Sequence, residues 1–310
     1  MINKINLLIH PTDFANSFRT SYMESVWGKY FNIIYYDEAV DYDSSNTLAV
    51  VHCYNTLHWY KKLLDKGIKL IVDNLWEYQI VDCNNVENSL ILRSPNWFWY
   101  NESIWYMAKG YNNYVPNKTY KKLALMPMSQ QKDHRTQLLD SLQFCIDKLI
   151  YSYGYQNIFL PGDRPTTDIG NGEWQRNFNP AWYDDTFFSI VAESSVEHLT
   201  PFITEKTFKT MAFQHPLLVF GCVKTLEHLH NLGFETFDNI FDESYDLILN
   251  ADDRLKLIIE NVKNFNYQAY DQLTRDKLKH NQNLFYNQSL VEHRLLDEII
   301  TPIQEYAAST

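Results

Sequence analysis

Four residues of this chain have types and spacing suited to chemistry on a charged, hydroxyl-rich ligand: Glu193, Thr204, Glu205 and Lys206. Glu193 ends the apolar run Phe188–Ala192, and the other three open a run in which Phe208, Met211 and Ala212 recur at helical spacing. Thr204 is a suitable N-cap, so a helix is predicted from Glu205. A helix start offers unpaired N–H groups and the positive end of a dipole. With Lys206 to meet a phosphate and glutamates to meet sugar hydroxyls, the combination suits a nucleotide sugar. The plainer alternative is that Glu205 and Lys206 are first-turn residues of a solvated helix, where acidic side chains are favoured without any ligand.

A second group lies in the loop Pro127–Arg135, after the apolar run Leu123–Met126. That is the crevice position in open α/β sheets. Asp133 is expected to cap the following helix, leaving His134 and Arg135 in its first turn, where a cation is unfavourable unless an anion offsets it. Lys132 and Arg135 are therefore candidates for a diphosphate and His134 for a hydrogen-bond donor, the alternative being a salt-bridged surface loop. Sugar transfer with inversion also needs a base on the acceptor hydroxyl. Among carboxylates that follow apolar runs in the first half, Asp13 and Asp73 rank first, ahead of Asp37, Glu38 and Glu77, against the alternative of ordinary loop or capping residues. No glycine-rich dinucleotide or P-loop signature occurs.

The elements that must position these groups alternate. Strand-like runs at Ile5–Ile9, Phe31–Tyr35, Leu48–Val51, Ile68–Val72 and Ser89–Leu92 are separated by helical patterns, which means parallel sheet and crossover helices. The polar stretch Tyr111–Lys118 reads as a linker, giving an acceptor-side domain over 1–115 and a nucleotide-sugar-binding domain over 119–288. In the second half an amphipathic helix is predicted from Leu138 to Leu149, with strands at Asn157–Leu160, Thr186–Ala192 and Leu217–Phe220. The aromatic run Trp97–Tyr106 falls in the first domain, and Asp184-Asp185 reads as a solvated turn.

Taken together, Phe188-Ser189-Ile190-Val191-Ala192-Glu193-Ser194-Ser195, Phe202-Ile203-Thr204-Glu205-Lys206, Ala212 and Pro216-Leu217-Leu218-Val219-Phe220-Gly221 resemble the donor-binding motif of the α1,3-fucosyltransferase family. More loosely they are similar to exostosin-type and other glycosyltransferases of the GT-B architecture. The resemblance is specific over Thr186–Gly221 and departs at Gln214-His215, where a small glycine-containing turn is usual. It implies two Rossmann-like α/β domains facing each other across a cleft, with a last helix in 289–310 crossing back onto the first domain. It also implies that Glu193, Glu205 and Lys206 contact the ribose and diphosphate of the donor. The implied activity is inverting, metal-independent transfer from a GDP- or UDP-sugar, with no cofactor, to a hydroxyl acceptor. That acceptor is a glycan or glycoside ahead of a hydroxymethylated DNA base, which phage enzymes of this architecture use. A non-catalytic nucleotide-sugar or carbohydrate-binding protein of the same fold is the alternative.

Composition narrows the partners. The 310 residues carry a formal net charge of −11, which disfavours broad coating of nucleic acid. The 22 tyrosines and 8 tryptophans suit ring-shaped ligands as well as cores. Four cysteines, Cys53, Cys83, Cys145 and Cys222, form no C-x-x-C pair and read as buried thiols of a reducing compartment. No run reaches the roughly 20 apolar residues of a membrane span. A cytoplasmic protein without a membrane span is expected.

Overall fold

The computed structural model describes residues 4–9, 26–52, 57–73, 89–92, 96–160 and 179–309. Asp13 lies outside them, and only the backbone of Asp73 is described. The chain divides into two compact units, one drawn from Met1–Trp97 and Glu292–Thr310, the other from Phe98–Thr166 and Asn177–Val291.

The first unit holds a parallel sheet of β1 (Asn6–Ile9), β2 (Asn32–Tyr35), β3 (Thr47–His52), β4 (Lys69–Asp73) and β5 (Ser89–Leu92), in the order β2-β1-β3-β4-β5. Leu7, Leu8, Ile9, Ala49, Val50, Leu70 and Ile71 are wholly buried, which is why β1, β3 and β4 read as continuous apolar runs instead of alternating ones. Helix α1 (Leu57–Asp65) crosses from β3 to β4 and buries Leu63. It ends at Gly67, whose φ of 75° is costly for any residue with a Cβ, and Ile68 N–H then donates to Leu63 O at 3.0 Å, turning the chain into β4. Asp73 ends β4 in register with His52 of β3 and Leu92 of β5.

Helix α2 (Trp97–Ala108) starts at the unit boundary, with Trp97 in the first unit and its aromatic residues from Phe98 onward in the second. Trp99 is fully buried, meets Phe234 edge-on at 4.8 Å, and donates its indole N–H to Phe285 O at 3.1 Å. The expected placement of this run in the first domain is thus corrected from Phe98 onward, its rings packing on apolar partners of the second unit such as Phe208 and Phe234. The stretch read as a linker also docks on the second unit. Tyr114 O–H donates to Asp184 Oδ1 at 2.6 Å and the Asn117 amide to the same oxygen at 3.0 Å. Asp184 is therefore an anchor and not a solvated turn.

The second sheet comprises β6 (Lys122–Met128), β7 (Leu149–Tyr153), β8 (Thr186–Ala192) and β9 (Leu217–Phe220), all parallel, in the order β7-β6-β8-β9. After β6, helix α3 (Asp133–Ser141) is shorter than the periodicity predicts. A 3₁₀ turn over Gln143–Lys148 follows, with Cys145 at φ −136° and ψ 17°, outside helical values. Leu149–Tyr153 then pairs with β6, because its Ile and Tyr side chains suit a strand once a partner edge is present. The expected strand Asn157–Leu160 reduces to one antiparallel bridge, Tyr153 to Ile158.

Helices α4 (Pro180–Asp184), α5 (Glu205–Ala212), α6 (Thr225–Asn231), α7 (Ala251–Lys263) and α8 (Gln272–Phe285) complete the second unit. The α5–β9 turn explains the Gln214-His215 departure. Gln214 takes the left-handed backbone, φ 47°, that a glycine would adopt more cheaply. His215 is fully buried: Nδ1 accepts from Ser189 Oγ at 2.8 Å and Nε2–H donates to Thr186 O at 3.0 Å. Burial, with Lys118 nearby, holds its imidazole well below its usual pKa, so the ring is a neutral staple between the turn and β8.

The closing segment is α9 (Gln288–Leu295), a π-turn over Leu296–Ile300 and α10 (Thr301–Ala308), where sequence predicts one helix from Leu290 to Tyr306. Pro302 cannot donate a backbone hydrogen bond, and the π-turn lies where that bond would fall. Within the first unit, Lys69 Nζ donates to Tyr306 O and Ser309 O, at 3.0 and 2.8 Å, meeting the negative end of α10.

Candidate functional site

In the second sheet the chain leaves β6 toward β7 on one side and returns to β8 on the other. The C-terminal ends of β6 and β8 thus flank a topological switch point, the place where open parallel sheets leave a crevice. Two loops rise from it, one leading from β6 into α3 and the other from β8 into α5. The loops and the first turns of the helices they enter carry Lys132, His134 and Arg135, and Glu193, Thr204, Glu205 and Lys206, respectively. All seven second-domain candidates therefore gather at one end of one sheet.

Glu193 follows β8 and is wholly buried. Its Oε1 accepts from the Thr204 amide at 2.9 Å and from Thr207 Oγ1 at 2.7 Å, and its Oε2 accepts from Thr204 Oγ1 at 2.5 Å. Thr204 in turn accepts from the Lys206 amide at 3.4 Å as the N-cap of α5, and from Lys206 Nζ at 3.0 Å. The Lys206 ammonium lies 3.9 Å from Glu193 Oε2 and 3.4 Å from Glu205 Oε1. Its side chain keeps 13% exposure, whereas those of Glu193 and Glu205 keep 0% and 9%. Burial pushes the Glu205 carboxyl upward, but Lys206, Lys209 and its own amide outweigh it and leave the pKa below the usual value. The resemblance gives Glu193 a ligand contact; here both of its oxygens are engaged by the start of α5.

Arg135 is also turned inward, 2% exposed, with NH2 donating to Glu193 O at 3.2 Å and NH1 to Gln130 O at 3.2 Å. Burial lowers its pKa against the opposing pull of Glu193 and Glu205. It ties the end of β8 to the β6–α3 loop. Lys132 Nζ adds a parallel tie to Ser194 O at 2.8 Å. The N-cap of α3 is Lys132 and not Asp133. Lys132 is extended, at φ −151° and ψ 144°, and its carbonyl accepts the Arg135 and Thr136 amides at 3.0 and 3.1 Å. Asp133 is already helical and complements the dipole by charge alone. Lys132 makes no side-chain cap bond.

His134 lies between the two loops, with Nε2 2.9 Å from Glu193 O and its ring 5.8 Å from that of Phe220. Nε2 carries the proton in that contact, since a carbonyl can only accept. Burial brings its pKa down to about 4, the Glu193 carbonyl opposing and Arg135, Lys132 and Lys206 reinforcing. The sign follows: an unfolded chain takes up this proton below pH 6.5, the folded chain only near pH 4. Stability is therefore fully present above pH 6.5 and falls as pH drops toward 4, by on the order of 2–3 kcal/mol. His134→Gln is expected to lose less stability than the native chain over that interval in urea denaturation. Parallel losses would show that His134 is not held neutral.

Two further residues support the site and were not singled out from sequence. Arg254 of α7, 1% exposed, donates to Val196 O and to Leu249 O, the latter at 3.2 Å, pinning the β8–α5 loop. Asp246 accepts the Leu226 and Glu227 amides, both at 3.0 Å, closing the N-terminus of α6 with a protein carboxylate. Neither has a local signal for this role, because the bond from Arg254 to Val196 O spans 58 positions and those from the Leu226 and Glu227 amides to Asp246 span 20 and 19. Gly221 carries its own constraint: a Cβ there would meet Val219 Cγ1 at 3.1 Å and Glu193 Cγ at 3.5 Å.

Among the base candidates, Asp73 stands at the C-terminal end of β4 in the first unit, and Asp13 lies outside the described residues. Among the described residues no group of three or more His, Cys, Asp and Glu side chains is arranged to hold a metal ion, and no helix is long and apolar enough to cross a membrane. Compared with known proteins, the chain matches no family model and no curated sequence.

Proposed function

We propose that the second unit binds a nucleotide sugar at the β6–β8 switch point and that the chain is an inverting glycosyltransferase of the GT-B type. The observation that carries this reading is the convergence of Lys132, Arg135 and Lys206, from two separate loops, around a neutral His134. Cations gathered beside helix starts favour an anion of matching size, and a diphosphate is one. Lys206 and Lys132 would neutralise the leaving diphosphate. Glu193 and Arg135 would act through them, holding α5 and the β6–α3 loop in place before the ligand arrives.

In this reading the acceptor oxygen attacks the anomeric carbon from the face opposite the diphosphate. The bond to the diphosphate breaks and its electron pair leaves with that group. The acceptor proton passes to a carboxylate base, the role for which Asp13 and Asp73 are the candidates. The resemblance of Thr186–Gly221 to the fucosyltransferase motif favours a GDP- or UDP-linked donor and a glycan or glycoside acceptor.

A thermal-shift panel of GDP-, UDP-, CMP- and dTDP-sugars tests the reading. One nucleotide class is expected to raise Tm in proportion to RT ln(1 + [L]/Kd). Silence across the panel, with and without Mn²⁺, would overturn it.

A further inference from the structure

At the opposite end of the same sheet β6 and β8 begin side by side, Lys122 in register with Thr186. A groove of about 550 Å³ opens there, lined by Tyr120, Lys122, Lys148, Phe187 and Tyr267 among others. In a chain of net charge −11 this groove gathers three lysines, Lys121, Lys122 and Lys148, against one acid, Asp147. Two of the three are engaged, Lys121 with Asp185 Oδ1 at 3.0 Å and Lys122 with Asp147 O at 2.6 Å. Lys148, at the end of the 3₁₀ turn before β7, is exposed.

The floor is aromatic. The Phe187 ring stacks on Tyr120 at 4.3 Å with 14° between planes, and meets Tyr267 edge-on at 4.7 Å. Tyr267 is 52% exposed. Tyr120 reaches this stack through a left-handed backbone, φ 50°, a costly conformation for a bulky residue. The Thr119 and Tyr120 amides, donating to Asp184 O at 2.8 and 3.2 Å, hold it there. Strain is thus spent on keeping a ring in the floor.

A concave wall of this size, an exposed aromatic ring and an exposed ammonium together match a flat ring that carries a phosphate. The volume accommodates one such molecule. We infer that this groove is a second ligand site, for a nucleoside monophosphate, with the base against Tyr267 and Phe187 and the phosphate on Lys148 and Lys122. The inference does not depend on the crevice reading, since it uses none of the same residues.

Isothermal titration of the full chain with AMP, and with adenosine and inorganic phosphate separately, tests it. AMP is expected to bind at least about tenfold more tightly than either half, because ring and anion are both recognised. Lys148→Glu and Tyr267→Ala are each expected to weaken AMP by about tenfold in a protein that remains folded, Lys148→Glu with Tm unchanged and Tyr267→Ala with the small drop that loss of its ring contacts brings. Lys206→Ala is expected to leave AMP binding as it was. The inference is overturned if AMP, GMP, UMP and CMP all fail to bind, or if phosphate alone binds as well as AMP. It is equally overturned if both groove variants bind normally. Loss in Lys206→Ala in place of the groove variants would assign the nucleotide to the crevice and remove the second site.

Discussion

Glu193→Ala is expected to destabilise the second unit by about 3–5 kcal/mol, the range for removing one partner from a buried charged network. The carboxylate is wholly buried and accepts from the Thr204 amide, Thr204 Oγ1 and Thr207 Oγ1. Alanine would leave the Thr204 amide without an acceptor in a site that water does not reach, and would remove the anion 3.9 Å from the Lys206 ammonium. The two hydroxyls can turn toward other acceptors, but the amide cannot. Glu193→Gln keeps the Oε1 position as an acceptor for the Thr204 amide but reverses the Thr204 hydroxyl contact and also removes the anion beside Lys206, so a loss of about 1–3 kcal/mol, smaller than that of alanine, is expected. Urea denaturation at neutral pH distinguishes the two, read as a change in midpoint at constant m-value. Equal small losses in both variants would mean that water enters the α5 start and that Glu193 does not organise it.

Lys206→Ala is expected to raise the Kd for the stabilising nucleotide sugar by about 10- to 100-fold, the worth of one charge-assisted contact to a phosphate. The effect should follow the diphosphate, so the matching nucleoside should bind equally to both proteins. Lys206→Arg keeps the charge and is expected to recover part of the affinity. Removing the ammonium also strips the buried Glu205 and Glu193 of their nearest cation. Affinity is therefore measured by titration below the unfolding transition, with the fold monitored by circular dichroism. Unchanged affinity in a folded Lys206→Ala protein would take the diphosphate away from α5.

Local patterns carried much of the architecture. Buried parallel strands produce apolar runs, and the runs at Thr186–Ala192 and Leu217–Phe220 fold as strands with those bounds, as does the half-buried edge run Ser89–Leu92. The helix start at Glu205 behind Thr204 was also legible, because an N-cap bonds an amide only two residues away. The helix expected over Leu138–Leu149 is helical only as far as Ser141 and gives way to a 3₁₀ turn over Gln143–Lys148. From Leu149 a strand with β6 as neighbour takes over, and pairing with a distant edge is invisible in a short window.

The candidate site divides in the same way. The sequence by itself determined which side chains stand at the ends of β6 and β8 and that Lys206 stands in the first turn of a helix, since chain direction and cap preference are local properties. Only the tertiary structure decided that Glu193 spends its oxygens on residues 11 and 14 positions onward, and that Arg135 turns to carbonyls more than 50 residues away. Only it decided that His134 is neutral. Burial and hydrogen-bond partners are set by what folds against a residue, and the cost of removing a charge from water depends on those partners, not on its neighbours in the chain.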